Sequence, residues 1–544
     1  MPEFQAETIV YQARTIVTMD PNRPRATHVA VRDGRILAVG ERDEVEAWGA
    51  ARLDDRFAGQ VLLPGFVEGH AHVLAGGIWR YVYAGFHVRT DPTRKSWPAL
   101  TTIDQVIDRL RQAEASLPEG EPLVAWGFDP IFLQSRRLDR AHLDAVSTAR
   151  PIAVIHSNFH LLTANSAALD LARIGRDSNV PGIDKAMDGE PTGELQEMAA
   201  MFPVLRRLNV DFAGLSRGED GLRAYGAVAR LCGVTTLTDL FAALTDSDIA
   251  ELLEITGDPD FPVRLAPALD AMTGRPAEIA ERALAIRARS TDKLRLGAVK
   301  IMTDGSIQGF TAQLKWPHYF TGPNNAIWNI APEHLAELTD IVHASGLQMH
   351  IHVNGDLASQ VTIDALERSL SKHPRGDHRH VLQHCQMADV AQFRKMAALG
   401  LCVNLFANHI HFFGDKHFDT TIGPDRATRM NATRTALDLG VPLAIHSDAP
   451  VTPMGPLFTA WCAVNRLTGS GKVLGPNQRI SVAEALHAIT LGAAYTLRMD
   501  HEIGSIECGK RADFAVLERD PLAVDPLELK DIAVAGTVLD GRPT

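Results

Sequence analysis

The sequence predicts an α/β fold: a (β/α)8 TIM barrel, with a small β-sandwich domain built from both termini and an insertion after the first barrel strand. Three observations carry this reading. Eight apolar, β-type runs recur along the chain, each followed by a helix-like stretch, the pattern of a parallel sheet wound with crossover helices. The two ends share a different texture of short strands punctuated by Gly and Asp. Most runs follow one another at roughly 30 to 45 residues, but the first and second are about 160 apart, which implies an inserted segment.

At the N-terminus, ETIVYQARTIVTM and ATHVAVRDGRILAVG, with Asp33-Gly34 as a turn, read as hairpins. IGSIECGKRADFAVLERDP and IAVAGTVLDGRP repeat that pattern near the C-terminus. Chain ends often lie close together, so residues 1–59 and 500–544 are expected to form one composite sandwich. The barrel is expected over 60–499, with strands in QVLLPGFVEGHAHV (60–73), GVTTLTDL (233–240), PVRLAPALD (262–270) and LGAVKIMTD (296–304). The remaining four lie in GLQMHIHV (346–353), RHVLQHC (379–385), GLCVNLF (400–406) and VPLAIHSD (441–448). The insertion, 80–215, is expected to cover the active site, which in such barrels lies at the C-terminal ends of the strands.

The composition narrows the function. A formal charge of −12 leaves no footprint for nucleic acid or an anionic membrane. No apolar run approaches the ~18 residues of a membrane helix, and Met1–Asp20 lacks a basic, then apolar, leader pattern. A cytoplasmic location and a small-molecule substrate are the expectations, with a homo-oligomer, a dimer by default. Five scattered cysteines form no CxxC, so neither a disulfide framework nor a thiolate metal site is indicated.

Histidine is the unusual residue. There are 22, and ten lie between His343 and His417, where even spreading would give about three. His70 and His72 end the first run two residues apart, which sends both imidazoles to one face. His350 and His352 form a second such pair, His384 ends the sixth run, and His446-Ser447-Asp448 ends the eighth. Imidazole with carboxylate, without cysteine, suits an open catalytic site for zinc or a neighbouring divalent metal. Lys300 lies between Val299 and Ile301. It reads either as a snorkelling strand-end lysine or as an amine of lowered pKa that reacts with carbon dioxide to give a metal-bridging carbamate.

GFVEGHAHV, VKIMTDGSI, HVNGDLA, RHVLQH and SDAPV, with the closing IGSIECGKRADFAVLERDP, resemble the amidohydrolase superfamily, specifically amidohydrolase family 3, the YtcJ-like and N-substituted formamide deformylase-like branch. WGFD (126–129), HLLTANSAAL (160–169) and PTGELQE (191–197) extend the resemblance through the insertion. It implies that His70 and His72 bind the more buried metal, with Asp448 contacting it while shuttling a proton. It also implies that carboxylated Lys300 bridges to a second metal held by His352 and His384. His352 is preferred to His350 because HVNGD matches the family's HxxGD pattern. A mononuclear site of His70, His72, His352 and Asp448, with Lys300 uncarboxylated and His384 free for substrate, is the other version.

His160 matches the family's insertion histidine and is expected over the pocket as a substrate contact. His350, Trp126, His409 and His411 are further substrate-facing candidates, each with packing or a solvated loop as the alternative. Asp129 is read as a loop anchor or ligand contact, Glu197 and Asp304 as structural, and His380 as a support behind His384. The aromatic residues Trp79, Tyr81, Phe159, Phe406, Phe412 and Phe413 suggest an apolar substrate group. The expected activity is metal-dependent hydrolysis of a non-peptide C–N bond, amide or formamide. The rivals are hydrolysis of a cyclic imide, carbamate or lactone on the same site, a decarboxylase or lyase, and, last, a metal-binding regulatory protein.

Overall fold

The computed structural model describes residues 7–49, 51–133, 136–210, 212–215, 218–322 and 324–544. Residues 1–6 and 50 of the expected terminal domain, 134, 135 and 211 of the expected insertion, and 216, 217 and 323 of the expected barrel lie outside them. At the centre is a parallel barrel whose strands follow chain order: β1 (Phe66–Glu68), β2 (Val234–Ala242), β3 (Arg264–Asp270), β4 (Ala298–Met302), β5 (Met349–Val353), β6 (Val381–His384), β7 (Cys402–Leu405) and β8 (Leu443–Ile445). Each observed strand lies within one of the eight predicted runs, apart from the last two residues of β2. Alternation explains the layering. On β4, Val299 and Ile301 pack in the apolar core shared with the surrounding helices, while Lys300 and Met302 line the interior cavity.

The barrel closes just beyond β1 and β8. Asp448 N donates to His70 O at 3.0 Å and His72 N to Ala449 O at 2.9 Å. Closure is therefore made by the backbone of residues whose side chains build the site.

The first predicted strand needs correction. Only Phe66–Glu68 of 60–73 belongs to the barrel, because Val61–Pro64 pair antiparallel with Phe514–Leu517 instead. The passage between the two sheets falls at Gly65, past the expected 59/60 boundary. A Cβ there would lie 2.0 Å from Thr235 Oγ1, so only glycine lets the chain pass. Strands from both chain ends, Ile9–Val17, Arg25–Arg32, Arg35–Gly40 and Arg52–Pro64 with Phe514–Leu517, Val534–Leu539 and Arg542–Pro543, form one continuous seven-stranded sheet. Its bulges bend it so that Ile16, Val29 and Phe57 share one core with Phe514 and Val538.

Between β1 and β2 the chain builds a six-stranded sheet that includes Leu123–Phe128, Ile152–His156, Leu161–Ala164 and Pro191–Gln196, followed by the helix Glu197–Arg207. Its core is separate, with Trp126, Ile155, Leu162 and Met201 fully buried. No helix among the described residues is long and apolar enough to cross a membrane.

Arg264 ties the barrel to the terminal sheet. It is 1% exposed, its Nε and Nη2 donate to Asp513 at 2.8 and 3.1 Å, Nη2 also meets Asp540, and Nη1 donates to Asp292 O at 2.7 Å. Removing one partner of a buried charge network strands the others. Arg264→Ala is expected to destabilise the fold by about 3–5 kcal/mol, seen as a lowered melting temperature, whereas exposed Arg275→Ala leaves it unchanged.

Candidate active site

A cavity of about 1010 Å³ opens at the C-terminal ends of the strands. His70, His72, Lys300, His352, His384 and Asp448 all line it, as do His160, Glu197 and His409. Its outer wall is apolar, with Phe159, Met198 and Phe202 from the insertion facing Phe241, Leu252 and Met272 from the barrel.

His70 lies against the Gln383 side chain, with Nδ1 2.8 Å from Oε1. A carbonyl oxygen only accepts, so Nδ1 carries the proton and Nε2 keeps its lone pair. That lone pair lies 3.4 Å from Asp448 Oδ1, which is also 3.3 Å from His72 Nε2. Oδ1 is buried without a hydrogen bond of good geometry. Two acceptor atoms held face to face with no proton between them repel each other unless a cation joins them. The triad His70, His72 and Asp448 therefore fits a divalent metal.

A second relay orients His384. Asn404 Oδ1 accepts from His446 Nδ1 at 3.1 Å, so His446 Nε2 in turn accepts from His384 Nδ1, 3.0 Å away. His384 is left with the Nε2 lone pair for a ligand. Its ring lies 4.5 Å from that of His70 and 4.6 Å from that of His352. His352 Nε2 lies 3.4 Å from Gly305 O, an acceptor, and 3.1 Å from Asn354 Nδ2, a donor; in the tautomer that donates to Gly305 O, Nδ1 keeps its lone pair for a ligand. Such outer contacts fix tautomer and ring plane in metal sites.

The electrostatics agree. Burial lowers the pKa values of His70 and His384 well below the ordinary range and those of His352 and His446 to about 3, so these rings are neutral. His72 differs: burial opposes its charge, but Asp239 and Asp448 outweigh burial and raise its pKa to about 9. A metal must displace that proton. Burial pushes Lys300 down to about 7, and Nζ has no hydrogen-bond partner. An orphaned, half-neutral amine among metal-type donors fits the carbamate better than a snorkelling side chain, which would reach water.

His384 and Asp448 both occupy the left-handed region, at φ +65° and +53°. For non-glycine residues this costs on the order of 1–2 kcal/mol each. The kink at His384 breaks the strand's alternation, so that Gln383 and His384 both face the interior. Strain of this kind persists where function requires a side chain to be aimed.

Three expected substrate contacts lie elsewhere. His350 is one layer below the cavity, its Nδ1 accepting from Gln383 Nε2 at 2.8 Å; alternation puts it inside the barrel, but two residues too deep. Trp126 is fully buried in the insertion core against Tyr83 and Trp79. His411 packs on Phe458 and Trp461 and bonds Leu467 O, on the helix face away from the cavity. His409, one turn-face away, does line it, with Nε2 unpartnered. Of the aromatic candidates, Phe159 and Phe406 line the cavity and Trp79, Tyr81, Phe412 and Phe413 do not. Asp129 anchors a loop through Ile131 N and Ser157 Oγ, and Asp304 accepts three backbone N–H groups. His380 bonds His343 and Met349 N, not His384. Glu197, expected as structural, instead faces the cavity bonded to His160. The sequence reading missed Gln383, Asn404, Asp239 and the orienting role of His446; only His446 carried a signal, its spacing of two from Asp448.

The sequence matches the amidohydrolase family over residues 58–544. The chain belongs to the amidohydrolase family. It is 28% identical to the N-substituted formamide deformylase of Arthrobacter pascens, covering 96% of both chains, and 27% identical to Protein LONG AFTER FAR-RED 3 of Arabidopsis thaliana, covering 92% of this chain and 86% of that one. Among solved structures, an uncharacterized metal-dependent hydrolase from Pyrococcus horikoshii OT3 shares the fold, with a TM-score of 0.71 at 20% identity over 96% of this chain and 99% of that one. As an amidohydrolase it is an enzyme acting on carbon–nitrogen bonds other than peptide bonds.

The Gln383 amide gives the amidohydrolase site a direct test. Gln383→Leu keeps the volume but frees the His70 tautomer. Metal affinity is expected to fall about 10- to 100-fold, measured by chelator competition, with the circular dichroism spectrum unchanged.

Proposed function

We propose that this amidohydrolase cleaves an amide or formamide C–N bond in a small substrate with an apolar N-substituent. The observation that carries the reading is the pair of opposed lone pairs, His70 Nε2 and Asp448 Oδ1, at the floor of a large cavity with apolar outer walls. His70, His72 and Asp448 would hold one divalent metal, with zinc favoured by the nitrogen and oxygen donors. Carboxylated Lys300, His352 and His384 would hold a second. When bound, such a cation supplies acidity, bringing the pKa of water from 15.7 to about 7.

The chain's own residues do the rest. Asp448 takes the proton of the attacking water as the new carbon–oxygen bond forms, and gives it to the nitrogen as the C–N bond breaks. Burial would raise the Asp448 pKa, but His72 outweighs burial and holds it low, so the side chain is a carboxylate that can accept. The apolar wall excludes water from the N-substituent and contributes roughly 25 cal/mol per Å² of apolar surface covered.

Formamides, acylamides, carbamates, cyclic imides and lactones tested against metal-loaded enzyme decide the substrate class, and formamides or acylamides with aryl or alkyl N-substituents are expected to turn over fastest. Asp448→Asn is expected to retain metal yet lose about 10²- to 10⁴-fold in kcat. Full activity in a metal-loaded Asp448→Asn sample would exclude the proton-shuttle role. Two metal ions per chain, with 44 Da of added mass on Lys300 under native conditions, is the expected state; one ion and an unmodified lysine favour the mononuclear version.

A further inference from the structure

The insertion brings one charged pair to the cavity that the reaction above leaves without a task. His160 lies in the turn between Ile152–His156 and Leu161–Ala164, and Glu197 opens the helix Glu197–Arg207. They are locked twice. Glu197 N donates to His160 O at 2.8 Å, and His160 Nδ1 donates to Glu197 Oε2 at 2.9 Å. Asn158 Oδ1 accepts from His160 N at 2.8 Å. Glu197 sits at φ +61°, a left-handed conformation that a helix start does not require. An acidic residue at a helix N-terminus is ordinary; one strained into place to grip a histidine is not.

Nδ1 being spent on Glu197, Nε2 is the nitrogen left to the cavity, and among the described residues it has no partner in the chain. Glu197, Asp448 and Asp304 act on the ring with negative charge, and His352 is a titratable neighbour of the other kind. Burial disfavours the charged ring, and the carboxylates outweigh it. With His72 set aside as a metal ligand, the other imidazoles lining the cavity, His70, His352, His384 and His409, are held neutral.

We propose that His160, held as an imidazolium by Glu197, is the oxyanion donor of the reaction: its Nε2–H hydrogen-bonds the substrate carbonyl oxygen. The inference rests on the amide-hydrolysis reading above. As water oxygen adds to the carbonyl carbon, the π electron pair moves onto the carbonyl oxygen and the bond from His160 strengthens. The His160 proton stays in place; the proton that moves is the one Asp448 carries from water to the departing nitrogen. Glu197 is a positioning residue. The insertion thus supplies a catalytic group to the site at the strand ends.

Kinetics on metal-loaded enzyme with N-benzylformamide, together with ¹⁵N-histidine NMR, test this. His160→Gln is expected to lower kcat about 10²- to 10³-fold, with KM changed less than about threefold and metal content unchanged. Activity that needs the imidazolium is present below its pKa and lost as pH rises through it, so the alkaline limb lies above the ordinary histidine value of about 6.5. Glu197→Gln is expected to move that limb to lower pH, and Glu197→Asp to restore part of the shift. The NMR signal assigned by its loss in His160→Gln is expected to show both ring protons at pH 7 in the wild type and one in Glu197→Gln. Wild-type kcat in His160→Gln, an unmoved limb in Glu197→Gln, or a neutral His160 at pH 7 overturns the proposal. An enzyme that turns over no amide overturns the amide reading instead, and the NMR result then decides the state of His160 by itself.

Discussion

The closure of the barrel is the constraint on which the site depends. Strands β1 and β8 meet through two backbone hydrogen bonds just past their ends, between His70 and Asp448 and between His72 and Ala449. Both are short strands, so the sheet has little other pairing at this seam. The side chains on either side of it are the triad that fits a metal. Anything that opens the seam separates His70 from Asp448, and a cation joining those two would in turn hold the seam shut. Fold stability and ligand geometry are therefore one quantity here. Glu68 reinforces the seam from below: its carboxylate accepts from Ser447 Oγ at 2.8 Å and Ser447 N at 3.2 Å, joining the same two strands through side chains.

Beneath the seam the barrel interior has to bury many polar groups, and it does so by keeping the imidazoles neutral and tying ring nitrogens to side-chain amides. Gln383 is the clearest case. One amide serves two rings, accepting from His70 and donating to His350, so the deeper histidine fixes the amide and the amide fixes the tautomer of the ligand. Asn404 does the same for His446, and through it for His384. A buried polar group left unpaired costs roughly 1–3 kcal/mol, which makes the orphaned Lys300 Nζ and Asp448 Oδ1 informative. These two lie among the donors that fit a metal, where a bound group would pair them.

These relays also explain what the sequence disclosed. Eight runs of β-type residues at regular spacing revealed the barrel, and the period of two placed His70, His72, Lys300 and His352 on the inner face. That period says which face a residue occupies but not how deep it lies. His350 obeys it as well as His352 does, and sits one layer too low to reach the cavity. It fails altogether where the backbone turns left-handed: at His384 the φ of +65° puts two consecutive residues inside, so Gln383 gave no signal as a functional residue. Trp126 and His411 came from motifs that mark the fold of the insertion and of one helix, and packing claimed both. The passage at Gly65 was hidden because β-rich sequence runs unbroken from the terminal sheet into β1; only the clash a side chain would make with Thr235 shows where one sheet ends.

The cavity divides its labour by origin. Its polar floor comes from strand ends that the barrel holds rigidly, where small displacements would disturb a metal and its water. Its roof comes from the insertion, which has a core of its own and can vary without altering the barrel. About 1010 Å³ is at the upper end of the range for small-molecule sites, more than an amide group alone would fill, so the apolar wall must answer to the rest of the substrate. A purely apolar roof would select by size and shape only, and shape in a hydrophobic pocket discriminates weakly, by about 1–3 kcal/mol per methylene. His160 and Glu197 change that. By aiming a charged donor from the roof at the floor, they tie correct seating of the apolar substituent to alignment of the carbonyl, so that recognition by the insertion and chemistry at the strand ends become a single geometric requirement.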